Sequence, residues 1–543
     1  MASHDSGVGR RDFIRTGVLT GIAAAAPVVH AEPPQQQPQA AAPFELEEVT
    51  VADLQARLGS GQDTARSLVE KYLRRIETLD KQGPSLRHVL EVNPDASRIA
   101  AALDEERKAK GPRGPLHGIP VLIKDNIGTA DRMATTAGSL ALEGSIPAKD
   151  AWVARKLREA GAVILGKTNL SEWANFRSTH SSSGWSGRGG QARNPYALDR
   201  NPSGSSSGTG GAIAASYAAI GIGSETDGSI VSPSNNCGLV GVKPTIGLVS
   251  RAGIIPIAHS QDTAGPMART VTDAALLLGA LVGFDPDDPV TKAAATKIVR
   301  DYTKALDPNA LRGARIGVPR KACFGMSVHG DRIAEAAIDV LKQLGAVIVD
   351  PADLPPPSKV SDSEFDVLLY EFKADLNAYL AALGANAPAH SLKDLIAFNE
   401  AHKDREMPHF GQEIFLQAEK KGPLTDPRYA AALANGYHWT RTLGIDAVMA
   451  RHKLDAFVAP TSGPASLTDL VNGDYGPNGC STIPAVAGYP HVTVPAGFVF
   501  GLPVGLSFFG KAFSEARLLG YAFAFEQATK HRKAPTFAAT ASL

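Results

Sequence analysis

Twice along the chain a helical pattern meets a glycine and gives way at once to a short β-branched run. Trp152 to Ala160 leads into Gly161-Ala162-Val163-Ile164-Leu165, and Ile333 to Leu344 leads into Gly345-Ala346-Val347-Ile348-Val349. A chain that changes from a 3.6-residue period to a strand within a few positions folds the helix back on the strand it feeds, which is the unit of an α/β sheet protein. Ile119 to Ile123 is a further apolar run of strand length, and Ala456 to Pro460 and Val492 to Pro495 return to strands near the end. Earlier, Thr64 predicts the cap of a helix carrying Leu68, Val69, Tyr72, Leu73, Ile76 and Leu79, closed near Gly83-Pro84, and Asp95 to Lys110 predicts a second helix. After a Pro-rich loop from Pro351 to Pro357, Ser363 to about Gly444 reads as largely helical. The expectation is an α/β fold: one large domain over 49–535, a central mixed, mostly parallel sheet flanked by helices, and a helical insertion at about 358–444. The 543 residues, 43% hydrophobic, allow a core of that size.

The first segment carries its own signal. Arg10-Arg11-Asp12-Phe13-Ile14 precedes an apolar run from Gly17 to Val29 and a small-residue site at Val29-His30-Ala31. This is the layout of a twin-arginine export signal over 1–31, read transiently by that machinery, and it places the mature protein in the periplasm or outside the cell. The run is shorter than the ~20 residues a membrane span needs, so stable membrane association is not expected. Residues 32–48, rich in Pro, Gln and Ala at their start, read as an extended linker. Lys plus Arg and Asp plus Glu both number 55, without a basic excess, which argues against a nucleic-acid partner. The three cysteines, Cys237, Cys323 and Cys480, form neither a disulfide framework nor a C-x-x-C zinc pattern, and no metal or cofactor is expected.

The most unusual composition lies between Asn201 and Gly238. Ser205-Ser206-Ser207 sits between glycines, an Ala-rich segment follows as a buried small-residue helix at Ala212 to Ala219, and Ser229 then falls in Thr226-Asp227-Gly228-Ser229-Ile230. Gly/Ser tracts serve as flexible linkers, yet a linker does not feed directly into a buried helix, so a shaped site is the competing reading. Gly204-Ser205-Ser206-Ser207-Gly208 also matches the G-x-S-x-G nucleophile elbow, which requires a strand immediately before it. Tyr196 to Pro202 is polar and Pro-broken, so that context fails.

Three ordered blocks carry a resemblance. Gly118-Ile119-Pro120-Val121-Leu122-Ile123-Lys124-Asp125-Asn126, the Gly/Ser run, and Glu225-Thr226-Asp227-Gly228-Ser229-Ile230 resemble the signature blocks of the amidase signature family. The likeness continues through Cys237 to Thr245 and Gln261 to Arg269, spans about Val49 to Lys530, and gives a signature core of about 117–275. Trp185-Ser186, Gly189-Gly190-Gln191 and Glu371-Phe372-Lys373 most resemble bacterial peptide amidases. The resemblance implies a serine amidase with Lys124 as base, Ser229 as nucleophile and Ser205, reached through a cis peptide, as the bridging serine. Ser205 is chosen over Ser206 and Ser207 because the 24 positions to Ser229 equal the family's spacing. The oxyanion hole implied is the backbone of Thr226, Asp227, Gly228 and Ser229. Chemically the set is sufficient. Amide hydrolysis needs an activated hydroxyl, a base that returns its proton to the departing amine, and donors for the oxyanion. A lysine serves as base only when neutral, and burial can lower its ordinary pKa of about 10.4 by up to ~3–5 units.

Asp125 and Asp262 read as either orienting groups or loop caps, and Cys237 reads as a buried small hydrophobe rather than a second nucleophile. Val231 stands where many family members carry Arg, a residue suited to bidentate carboxylate recognition, and this favours neutral or apolar amides. The best expectation is hydrolysis of a linear carbon–nitrogen bond, that of C-terminal peptide amides, on a small-molecule or peptide substrate. A broad acylamide or cyclic-amide hydrolase is the alternative, and a catalytically silent amidase-fold binding protein is the alternative of another class. A tRNA-dependent amidotransferase component is disfavoured by the leader and by Val231.

Overall fold

The computed structural model describes residues 44–385, 387–475 and 479–542. The expected leader and the expected linker up to residue 43 lie outside the described residues. The strands in chain order are β1 Val89–Val92, β2 Pro120–Lys124, β3 Val163–Thr168, β4 Trp185–Ser186, β5 Gly190–Gln191, β6 Ile220–Glu225, β7 Val240–Lys243, β8 Thr263–Ala268, β9 Arg315–Gly317, β10 Val347–Val349, β11 Ala456–Pro460, β12 His491–Val499 and β13 Leu502–Phe509. β4 and β5 make a separate two-stranded ladder. The other eleven form one sheet in the order β1-β3-β2-β6-β8-β7-β12-β13-β11-β9-β10.

The sheet is mixed as expected, but the parallel majority is not there. β2–β3, β2–β6, β9–β10 and β9–β11 are parallel, while the remaining six pairings are antiparallel. One of the six has a local cause: β12 and β13 are joined by a tight turn at Phe500-Gly501, and two strands joined so closely can only pair antiparallel.

The helices follow the sequence reading closely. Thr64 caps Ala65–Ile76, its hydroxyl accepting from Ser67 N, and Asp95 occupies the cap position of Ala96–Lys110. Leu68, Val69, Tyr72 and Ile76 are buried, the three- and four-residue stripe that helical spacing requires. Val328–Gln343 precedes β10, and Trp152–Glu159 precedes β3. The insertion contains Ser361–Ala382, Leu392–Ala401, Glu413–Glu419 and Pro427–Tyr437. It has its own apolar cluster, in which Leu369, Phe372, Leu376, Leu380 and Phe415 pack on Trp173, Phe176, Ile255 and Ile257. Fully buried Arg177 fastens it further, 2.7 Å from Glu172 and 3.6 Å from Glu406, with its guanidinium over Phe410.

The expected domain limits need correction at both ends. Residues 44–48 are not linker: Leu46 is buried, Phe44 meets Tyr72 edge-on, and Glu48 pairs with Arg532 at 2.8 Å. At the far end Phe537 and Ala541 are buried beyond 535, and Leu198 N donates to the Ala538 carbonyl. Among the described residues no helix is long and apolar enough to cross a membrane.

Candidate active site

Lys124 is the last residue of β2, and β6 runs parallel beside it with Ile123 opposite Ile222. The carboxyl ends of the two strands therefore open at the same edge, the place where parallel α/β sheets collect functional groups. The apolar run before Lys124 makes β2 a wholly buried strand, so the ammonium position at its end is drawn into the core. Lys124 Nζ meets Ser205 Oγ at 2.8 Å, Ser224 Oγ at 3.0 Å and the Ser224 carbonyl at 3.2 Å. These partners are neutral oxygens, and burial lowers the lysine pKa to about 7, against the opposing fields of Asp262 and Glu225. At neutral pH a large fraction of Lys124 is thus an uncharged amine able to accept a proton.

The Gly/Ser tract is shaped. Gly204–Ser205 is a cis peptide, and the helix Ser207–Ala214 begins two residues later. The helix closes at Ala214, short of the expected Ala219, and β6 begins at Ile220. An added Cβ at Gly204 would overlap the Ser171 hydroxyl, so a larger residue there would displace that side chain. All three serines are fully buried, and their hydroxyls have different partners. Ser205 faces Lys124. Ser206 Oγ donates to the Ser224 carbonyl at 3.1 Å and accepts from Ser224 N at 3.2 Å, and Ser207 Oγ lies 3.2 Å from Ser171 Oγ. No strand immediately precedes Gly204, so the elbow reading fails on structure as on sequence.

Gly228, at φ +78°, turns the chain ahead of Ser229. Ser229, together with Ser203, Gly204, Thr226, Asp227 and Gly228, lines an open cleft of about 220 Å³. No hydrogen bond joins the Ser205 and Ser229 side chains in this conformation; the backbone holds the segments together, Ser206 N donating to Ser229 O at 3.1 Å. The backbone N–H groups of Thr226, Asp227, Gly228 and Ser229 have no partner among the described residues, while the next two, of Ile230 and Val231, both donate to Glu225 Oε2. The turn thus leaves four donors at the cleft and anchors itself immediately beyond them.

The neighbouring acids divide as follows. Asp125 Oδ2 accepts from the Thr136 hydroxyl and from Gly138 N, which is loop capping. Asp262 does both jobs, accepting from Thr226 Oγ1 at 2.6 Å and from Ile257 and Ala258 N, and burial pushes its pKa up to about 6. Asp227 is held by Thr482 Oγ1 at 2.7 Å, and burial raises its carboxyl. Cys237 is fully buried and its thiol is pushed up to about 12 by that burial, as suits a small hydrophobe. Val231 is buried and does not line this cleft, so its bearing on the substrate carboxylate is weaker than the sequence suggested. The sequence reading missed Ser224 and Asn126 as partners around Lys124, because β6 carries no strand signal of its own: Asn126 Nδ2 donates to Ser224 Oγ at 2.8 Å.

Among the described residues one group has metal-ligand chemistry, His259, Glu371 and Asp375. Its donors are already engaged with one another and with the chain: His259 Nδ1 meets Asp375 at 2.8 Å, and Glu371 accepts from Tyr429 OH and Ser260 N. The hydrogen bond to Asp375 raises the His259 pKa, so the cluster is an ion-paired clamp between the insertion and the cleft wall.

Comparison with known proteins agrees with this geometry. The sequence model of the Amidase family matches residues 67–519. An Arabidopsis thaliana protein described as a probable amidase is 43% identical over 505 residues, covering 91% of this chain and 93% of that one. A glutamyl-tRNA(Gln) amidotransferase chain of Halorhodospira halophila is 35% identical, covering 90% of this chain and 99% of its own. The crystal structure of the native peptide amidase from Stenotrophomonas maltophilia superposes with a TM-score of 0.87 at 51% identity, over 91% of this chain and all of that one. The fold, the buried Lys124–Ser205 contact beside Ser229 and these matches converge: the chain belongs to the amidase signature family and is a hydrolase of carbon–nitrogen amide bonds.

Proposed function

We propose that the protein hydrolyses C-terminal carboxamides of peptides to the acid and ammonia, with Ser229 as nucleophile, Ser205 as proton relay and Lys124 as base. Ser229 Oγ attacks the amide carbon and its proton passes through Ser205 to Lys124. The N–H groups of Thr226 to Ser229 receive the oxyanion. The proton returns to the nitrogen as the carbon–nitrogen bond breaks, and water then releases the acyl group by the same route. The observation that carries the reading is the 2.8 Å contact of a fully buried Lys124 with Ser205, at the edge of the cleft that Ser229 lines. The same pairing speaks against a silent binding protein. Likeness to a peptide amidase, including one solved with the competitive inhibitor chymostatin, supports a peptide substrate over a lactam or simple acylamide. A short peptide ending in a carboxamide is expected to shift in mass by the small difference between amide and acid at its C-terminus alone, with internal bonds intact. Internal cleavage, or no reaction beside rapid lactam opening, would move the substrate to the alternative class and leave the Ser–Ser–Lys chemistry standing.

We also propose export through the twin-arginine route, resting on Arg10-Arg11 and the apolar run after it. Replacing both arginines with lysine should hold folded precursor in the cytoplasm. Unchanged delivery to the periplasm on fractionation would refute it.

A further inference from the structure

The four N–H groups that face the cleft are only as fixed as the turn that carries them. Thr226 ties that turn down on one side: its hydroxyl donates to Asp262 at 2.6 Å and its carbonyl accepts from Gln261 Nε2 at 3.4 Å. Asp227 ties it on the other, Oδ2 accepting from Thr482 Oγ1 at 2.7 Å. Asp227 Oδ1 is closed to water and receives no hydrogen bond from an N–H or hydroxyl group among the described residues. Buried polar atoms are rarely left unpaired, and a donor for this one has to come from the protein itself.

The insertion brings such a group. Glu364 lies on the helix Ser361–Ala382, one turn before Leu368, which lines the cleft of Ser229. Its side chain is in hydrogen-bond contact with Asp227, and its Oε1 accepts from Gln261 Nε2 at 2.9 Å, so one amide bridges Glu364 and Thr226. Two ionised carboxylates in contact repel, and the contact becomes a bond when one of them keeps a proton. Lys243 of β7 and His491 of β12 favour charge on Asp227, Glu225 on the turn opposes it, and no cation acts on Glu364. The proton therefore sits on Glu364, where burial and the Asp227 charge push the carboxyl well above its usual range.

We propose that Glu364 is a positioning residue of the oxyanion hole: its protonated carboxyl donates to Asp227 and so holds the turn 226–229 with its N–H groups in the cleft. Glu364 acts through Asp227 rather than on the substrate. The inference rests on the hydrolytic reading of Ser229 and adds to it the means by which the insertion holds that centre in order. The competent form of Glu364 carries its proton, so its contribution is present at low pH and lost as pH rises through the raised carboxyl pKa. That limb is opposite in sign to the one set by Lys124, and together they make the native profile a bell.

The test is kcat and KM from about pH 5 to about pH 10, a range reaching the ordinary lysine value. Ammonia is measured as released from an N-acyl dipeptide carboxamide, or from a simple acylamide where that is the better substrate. The full chain is compared with Glu364→Gln, Glu364→Ala and Ser229→Ala. The amide of Glu364→Gln donates to Asp227 at every pH, so this variant should retain native kcat at the optimum within about threefold and lose the alkaline fall. Glu364→Ala should lower kcat about 10- to 100-fold with KM little changed, the effect of losing a hydrogen bond to a charged group. A Glu364→Gln profile superposable on the native one, Glu364→Gln as slow as Glu364→Ala, or Glu364→Ala with native kcat overturns the proposal. Glu364→Gln decides the matter even where Glu364→Ala does not fold. An active Ser229→Ala refutes the nucleophile instead, and hydrolysis of the acylamide alone refutes the peptide substrate; neither outcome resembles a failure of Glu364.

Discussion

Ser229→Ala is expected to lose amidase activity by on the order of 10⁴-fold or more, the usual cost of deleting a serine nucleophile. The expectation follows from placement. Ser229 lines the cleft, Gly228 presents it at a positive-φ turn, and four unpaired N–H groups lead up to it. The other serines of the region are occupied differently. Ser206→Ala would unpair the Ser224 backbone, and Ser207→Ala would break one contact with Ser171. Each should cost about tenfold at most, through positioning, since a net hydrogen bond is worth ~0.5–1.5 kcal/mol. Ser205→Ala is different, because it severs Lys124 from the nucleophile, and it should fall nearer to Ser229→Ala than to its two neighbours. Steady-state rates on one amide rank the four variants. A dead Ser206→Ala beside an active Ser229→Ala would reverse the assignment.

Lys124→Ala should depress amide hydrolysis by about 10²–10⁴-fold, the range of a general acid–base group, and hydrolysis of a matched ester markedly less. An amine leaves poorly unless protonated, and the proton it receives is the one Lys124 took up. An ester's alkoxide needs that returned proton less. The pH dependence carries the same signature in the native enzyme. The active form of Lys124 is neutral, and burial lowers its pKa to about 7, so amide hydrolysis should rise with pH through about 7 and be suppressed below it. An ordinary lysine would place that limb near 10. A flat profile between pH 6 and 9 would remove Lys124 as the base.

Much of this site was legible in the sequence because it is local. The strand ending in Lys124 is announced by four apolar residues before one lysine, and Gly228 marks a turn that few residues but glycine can make. The helix cap at Thr64 was legible for the same reason, decided within four residues. What the sequence hid is long-range. β6 lies inside an Ala/Gly-rich stretch with no apolar–polar alternation, since both its faces are covered. The antiparallel centre of the sheet depends on which strands become neighbours, and Val240–Lys243 and Thr263–Ala268 are too short to advertise their partners. Ser224 and Asn126 meet across 98 positions.

The central claim is that the acyl group passes through Ser229, and the acyl-enzyme itself can be caught. The full chain is mixed with a slowly deacylating amide or ester, quenched in acid, digested and mapped by mass spectrometry. The account predicts one acyl adduct, on the peptide containing Ser229, absent from Ser229→Ala and diminished more for the amide than for the ester in Lys124→Ala. An adduct on Ser205, Ser206 or Ser207, or turnover with no adduct at any serine, would contradict it.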